Sequence, residues 1–154
     1  MRIELEKNIA APVETVFALA TDFATMDKRI SGVVRVEMLT EGPVGVGTRF
    51  SETRVTFGKE HAETMEVTAF EKNKRVGLLA GGCGCRYDSG FEFEPTESGT
   101  RVKLFIVATP QTLMARLMTP VGWLMKPTMR KMIEQDLEDL RIACEGKQAE
   151  AASA

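Results

Sequence analysis

Long apolar runs are missing from this 154-residue chain. The most hydrophobic stretch, Leu113 to Met125, is broken by Arg116 and falls short of the roughly 20 residues that cross a bilayer. No membrane span is expected. Cysteine occurs only as Cys83, Cys85 and Cys144. An odd count speaks against a disulfide framework and for a reducing compartment. No secretory leader is visible, because Met1 to Lys7 alternates charged and apolar residues where a signal peptide needs a continuous apolar stretch. A soluble cytoplasmic domain is expected. Histidine occurs once, at His61, and reads as a surface or strand-edge residue. Cys83-Gly84-Cys85 lacks the four N/S ligands of a structural zinc site, so no metal is expected. Charge of one sign is also scarce. Twenty basic residues face 22 acidic ones, and no long basic block stands out. Nucleic acid therefore has no electrostatic footprint here, and anionic membrane surfaces are disfavoured on the same grounds. G-x-S-x-G, P-loop and G-x-G-x-x-G motifs are absent. No cofactor is expected.

What is there is ordinary globular composition, with 44% hydrophobic and 27% charged residues. The length suits one domain with a real core. Ile3, Leu5 and Ile9 lie on one side of a period-2 pattern, a half-buried strand. Ala11-Pro12 opens a helix with Val13, Val16, Phe17 and Ala20 on its apolar stripe. Asp22 to Lys28 makes a further helical turn. Val33 to Leu39, Thr48 to Phe57, Glu60 to Phe70, Arg75 to Ala80, Arg86 to Glu94 and Arg101 to Ala108 read as strands. Short turns between them imply antiparallel neighbours. Thr109-Pro110 reads as the N-cap and first turn of a final helix. Its face is traced by Leu117, Val121, Leu124, Thr128, Ile133, Leu137, Leu140 and Cys144, with kinks at Pro120 and Pro127 and an end at Gly146. The domain is expected over 1–146 and a frayed tail over 147–154. The class is α+β in the order β-α-α-β6-α, with an antiparallel sheet covered by the last helix.

Several short motifs carry a family resemblance. Ile9-Ala10-Ala11-Pro12 with Glu14-Thr15-Val16-Phe17 is one. Gly45-Val46-Gly47-Thr48-Arg49-Phe50 and Glu66-Val67-Thr68-Ala69-Phe70-Glu71 follow. Phe91-Glu92-Phe93-Glu94-Pro95, Gly99-Thr100-Arg101-Val102 and Asp136-Leu137-Glu138-Asp139-Leu140 complete the set. In order and spacing they resemble the START-like, Bet v 1-like (SRPBCC) superfamily, in its polyketide cyclase/dehydrase and lipid-transport branch. The resemblance spans Met1 to about Glu145. It implies a helix-grip fold, in which a curved sheet of about seven strands wraps a long C-terminal helix around a hydrophobic cavity. It does not choose among carriers, cyclases, quinone binders and co-chaperone-like proteins.

Strand alternation and helix phase nominate the cavity wall. Expected ligand contacts are Phe17, Val34, Val36, Phe50, Met65, Val67, Tyr87, Phe91, Leu104, Leu117, Val121 and Met125. Five of nine methionines lie between Met114 and Met132, beside Trp123, which suits either helical core or an adaptable cavity lining. If Phe50 points inward, Glu52 and Arg54 enter the cavity as a pair. If Ser51, Thr53 and Val55 point inward, that pair is solvated. Tyr87 alternates with Phe91 and Phe93 and could donate to a ligand oxygen. Glu52, Arg54 and Tyr87 are the candidate catalytic groups. The expected mouth lies between the first helix, at Val16 and Phe17, and Leu113 to Met125. The leading reading is binding of a hydrophobic small molecule such as a lipid, quinone or polyketide, by a monomer or weak homodimer. The alternatives are a cyclase/dehydratase using the same cavity, and a protein-interaction module.

Overall fold

β1 (Arg2–Ile9) buries Ile3, Leu5 and Ile9 on one side, as its alternation requires. It begins a computed structural model that describes residues 1–153. Six more strands follow: β2 (Val33–Met38), β3 (Arg49–Thr56), β4 (Lys59–Glu71), β5 (Arg75–Gly82), β6 (Cys85–Thr96) and β7 (Gly99–Pro110). All neighbours are antiparallel, in the order β1-β7-β6-β5-β4-β3-β2. Helix α1 (Val13–Thr21) and a 3-10 segment (Phe23–Lys28) connect β1 to β2. Helices α2 (Leu113–Leu117) and α3 (Thr119–Ser153) close the chain. This is the helix-grip architecture, a curved seven-stranded sheet with one long C-terminal helix.

The curvature has a backbone cause. β4 bulges between Val67 and Ala69, and Ala69 faces Gly77. Gly77 in turn faces Gly90 on β6. A Cβ on Gly90 would stand 2.3 Å from the Val76 carbonyl oxygen, so only glycine fits. A bulge and two glycines in one row let the sheet fold sharply there.

Three details of the final helices differ from the sequence expectation. Thr109 and Pro110 finish β7, paired with Arg86 and Cys85. The cap is Thr112, whose hydroxyl accepts the Ala115 N–H at 3.2 Å. Pro120 kinks nothing, because it lies in the first turn of α3, where a missing N–H is harmless. The break comes at Met118, between α2 and α3. Only Pro127 is interior. Gly146 does not stop α3, which runs on to Ser153 through a helix-forming stretch rich in alanine. Of the expected tail, residue 154 lies outside the described residues.

The C-terminal part of α3 is clamped to the rest. Ile133, Leu137, Leu140 and Cys144 are buried against the sheet and α1 side. Lys7 pairs with Glu138, and the Ala10 N–H donates to Glu145 at 3.0 Å. The Ser31 N–H and hydroxyl both donate to Asp139, at 2.8 and 2.7 Å. No helix among the described residues is long and apolar enough to cross a membrane.

Candidate functional site

Between the sheet and α3 lies a cavity of about 330 Å³. That is within the usual range for small-molecule sites. β3 faces it with Phe50, Glu52, Arg54 and Thr56, while Val55 is exposed on the opposite face. Fully buried Phe50 settles the strand's direction, and Phe23 stacks on it with ring centroids 4.4 Å apart. Cross-strand pairing extends this layer through Met65, Ala80 and Tyr87. Phe91 and Leu104 line the next rows. From α3 come Met125, Met129, Met132, Ile133, Asp136 and Leu140. Their spacing of i, i+4, i+7, i+8, i+11 and i+15 is one helical stripe.

Of the nominated residues, Phe50, Met65, Tyr87, Phe91, Leu104 and Met125 line the cavity, as do Glu52 and Arg54. Six do not. Phe17 packs edge-on against Phe70 and Phe93, both at 5.3 Å, in the closed end of the core. Val67 is fully buried there as well. Val34 is exposed because β2 shifts register between Val33 and Arg35, which turns Val33 inward instead. Val36 is half-buried against the core without reaching the cavity. Leu117 and Val121 face solvent, 68% and 45% exposed. The expected helical face contains a five-residue step, Thr128 to Ile133. Five residues rotate a helix by about 500°, so the two halves of that face cannot coincide. The stripe that runs back from Ile133 in phase is Met129 and Met125. The mouth moves accordingly. Exposed His61 and Glu63 on β4 border the cavity opposite the half-buried Met125, Met129 and Met132, and α1 lines it with Leu19 and Ala20 rather than with Val16 and Phe17.

A buried charged cluster interrupts the apolar wall, apart from Arg29 and the rim residue Glu63. Arg54 donates through Nε to Glu52 and grips Asp136 with both terminal nitrogens. Glu52 is only 5% exposed. Burial pushes the Asp136 carboxyl above its ordinary value, Arg54 pulls against that, and Glu52 adds to the rise. Burial works against the Arg54 guanidinium, yet Glu52 and Asp136 together hold it further toward the charged form. Two carboxylates against one guanidinium leave the cluster with spare acceptor capacity. Gly32 sits against it, since a Cβ there would be 3.0 Å from an Arg54 nitrogen. Tyr87 lies across the cavity from this cluster, two strands further along than β4. Burial raises its phenol first, with Cys85, Glu63 and Cys83 adding to the rise. No hydrogen bond among the described residues links Tyr87 to Arg54 or Asp136. Asp136 was missed in the sequence, although its phase with Met125, Met129 and Leu140 marks it as inward.

The profile of a family described as polyketide cyclase / dehydrase and lipid transport matches residues 1–145. The chain belongs to that family. Its fold is shared with TTHA0849 from Thermus thermophilus, at 23% identity and TM-score 0.77, with both chains fully covered. It is also shared with StfQ, a di-domain ARO/CYC protein of the steffimycin biosynthetic pathway, at 14% identity and TM-score 0.77. The match takes in 96% of this chain and 51% of StfQ. Ara h 8.0201 is similar at 17% identity and TM-score 0.66, over 91% of this chain and 97% of its own. No curated protein is significantly similar in sequence.

Proposed function

We propose that this chain is a cytoplasmic binding protein holding an apolar small molecule, such as a lipid, quinone or polyketide, in the cavity. The observation that carries the reading is a mostly apolar cavity between sheet and helix with the Glu52–Arg54–Asp136 cluster in its wall. Three cysteines without disulfides suit a reducing compartment. The apolar body of the ligand would lie against Met65, Leu78, Phe91 and Met129, and a hydroxyl or amine on it would donate to Glu52 or Asp136. The cavity-filling variant Ala80→Phe tests this. Wild type should take up Nile red and retain lipid in native mass spectra, and Ala80→Phe should do neither while keeping its helix content. Equal uptake by the two proteins would place the ligand elsewhere.

A second reading, a cyclase/dehydratase, is favoured by Glu52, Arg54, Asp136 and Tyr87 bordering one cavity. A carboxyl with a raised pKa is suited to donating a proton to a substrate oxygen. Resemblance to StfQ supports it at the level of fold. The test is a poly-β-ketone mimic followed by mass spectrometry for loss of water and by NMR for ring closure. Loss of water or ring closure by wild type, abolished in Asp136→Asn with binding retained, would establish it. Binding with neither loss of water nor ring closure over long incubation would remove it.

A further inference from the structure

The sequence from Ser98 to Ile133 holds no Asp or Glu. Within it, residues 111–133 carry Arg116, Lys126, Arg130 and Lys131 and so a charge of +4, while the chain as a whole is −2. None of the four takes part in an ion pair among the described residues. The same segment holds the densest group of exposed large apolar side chains. Leu113, Met114, Leu117 and Met118 face solvent because α2 uses Ala115 alone to pack on the Gly84 turn. Trp123 is 65% and Leu124 81% exposed. Lys126 lies over the Trp123 ring at 5.9 Å, and Arg130 is two turns beyond Trp123 on the same side. Lys131 stands in the same relation to Leu124.

This surface adjoins the cavity mouth. Leu124 immediately precedes the lining residue Met125, and on the facing rim exposed Phe57 follows the lining residue Thr56. Phe57 is held at φ 53 in a two-residue turn with Gly58, an unusual conformation for an aromatic residue.

We infer that the segment from Leu113 to Lys131, with Phe57 opposite, docks on anionic lipid surfaces and brings the cavity mouth to the bilayer. An amphipathic face with a tryptophan, apolar neighbours and basic flanks is the composition that lies in a headgroup layer. A second copy of the chain fits poorly, because a two-fold contact would set the +4 segment against itself. Whole-chain charge hides this footprint, since the remaining residues carry −6. The exchange of ligand with the bilayer rests on the binding reading above, whereas docking itself does not.

Trp123 is the only tryptophan, so its fluorescence reports this surface alone. The intact protein is mixed with vesicles of phosphatidylcholine, with or without phosphatidylglycerol. With phosphatidylglycerol present, the emission should shift to the blue and the protein should float with the vesicles. Raising salt from about 0.1 M to 1 M should release it, as the screening length falls from about 10 to 3 Å. Reversing Lys126→Glu, Arg130→Glu and Lys131→Glu together should lower partitioning by about a hundredfold or more, from roughly fivefold per basic residue. Nile red uptake without vesicles should be unchanged in that variant. Nile red uptake with no flotation would overturn the docking and leave the cavity reading intact. Flotation with no Nile red uptake would do the reverse. Equal partitioning into neutral vesicles, or a dimer that already shields Trp123, would also overturn the docking.

Discussion

Arg54 and Asp136 meet 82 residues apart in sequence, through two contacts of 3.1 and 2.9 Å. The contact fastens β3 to α3 where the cavity passes between them. Arg54→Met should destabilise the fold by about 3–5 kcal/mol, because it leaves two buried carboxylates facing one another. Asp136→Asn should cost less, since Glu52 still balances Arg54. Urea titrations in which both variants match wild type would show that the cluster is more hydrated than its burial implies.

Asp136 and Glu138 should titrate in opposite directions. Burial raises Asp136, so its contribution to stability is present at low pH and fades as pH rises through the raised value. Arg141 and then Lys7 hold Glu138 down to about 2, so its contribution is present above the ordinary carboxylate range and fades as pH falls toward about 2. Carboxyl-carbon NMR should find Asp136 titrating well above Glu138. Glu138→Gln should lose less melting temperature than wild type between about pH 5 and 3, from the ordinary range down toward the shifted one. A Glu138 resonance titrating in the ordinary range would contradict its contacts with Arg141 and Lys7.

Leu140→Ala should cost about 2–5 kcal/mol, in the lower half of that range. The side chain is 4% exposed but borders the existing cavity, so truncation enlarges a space already there. Calorimetry giving less than about 0.5 kcal/mol, the size of an ordinary surface change, would mean it faces out.

Gly90→Ala should destabilise by about 1–3 kcal/mol through overpacking at the bend. Gly122→Ala, with open space around the added methyl, should be neutral or slightly stabilising. Similar melting temperatures for the two variants would mean that the bend at Gly90 relaxes freely.

The sequence of elements along the chain and the α3 core were legible because period-2 alternation and the Ile133, Leu137, Leu140 spacing are local signals. The inward side of β3 was readable only as two alternatives until Phe50 was placed. Val34 was misassigned because a bulge inverts alternation without leaving a mark in composition. Leu117 and Val121 were misassigned for another reason. An apolar helix end looks the same whether it packs or stays exposed, and only the third dimension separates the cases. The Arg54–Asp136 contact joins chain segments too distant for any spacing rule to connect.

The clamps on α3 give it the mechanics of a beam held far more firmly at one end than at the other. Lys7, Ala10, Ser31 and Arg54 all hold positions between Asp136 and Glu145. The stretch from Thr119 to Met132 has no comparable polar tether among the described residues, and Pro127 removes one of its helical hydrogen bonds. A bending force is therefore resolved in the less tethered half, beside the cavity mouth. A bulky molecule entering there would tilt one half-helix rather than part any strands. Amide hydrogen exchange should accordingly be graded along α3, fast near Trp123 and slow near Leu140.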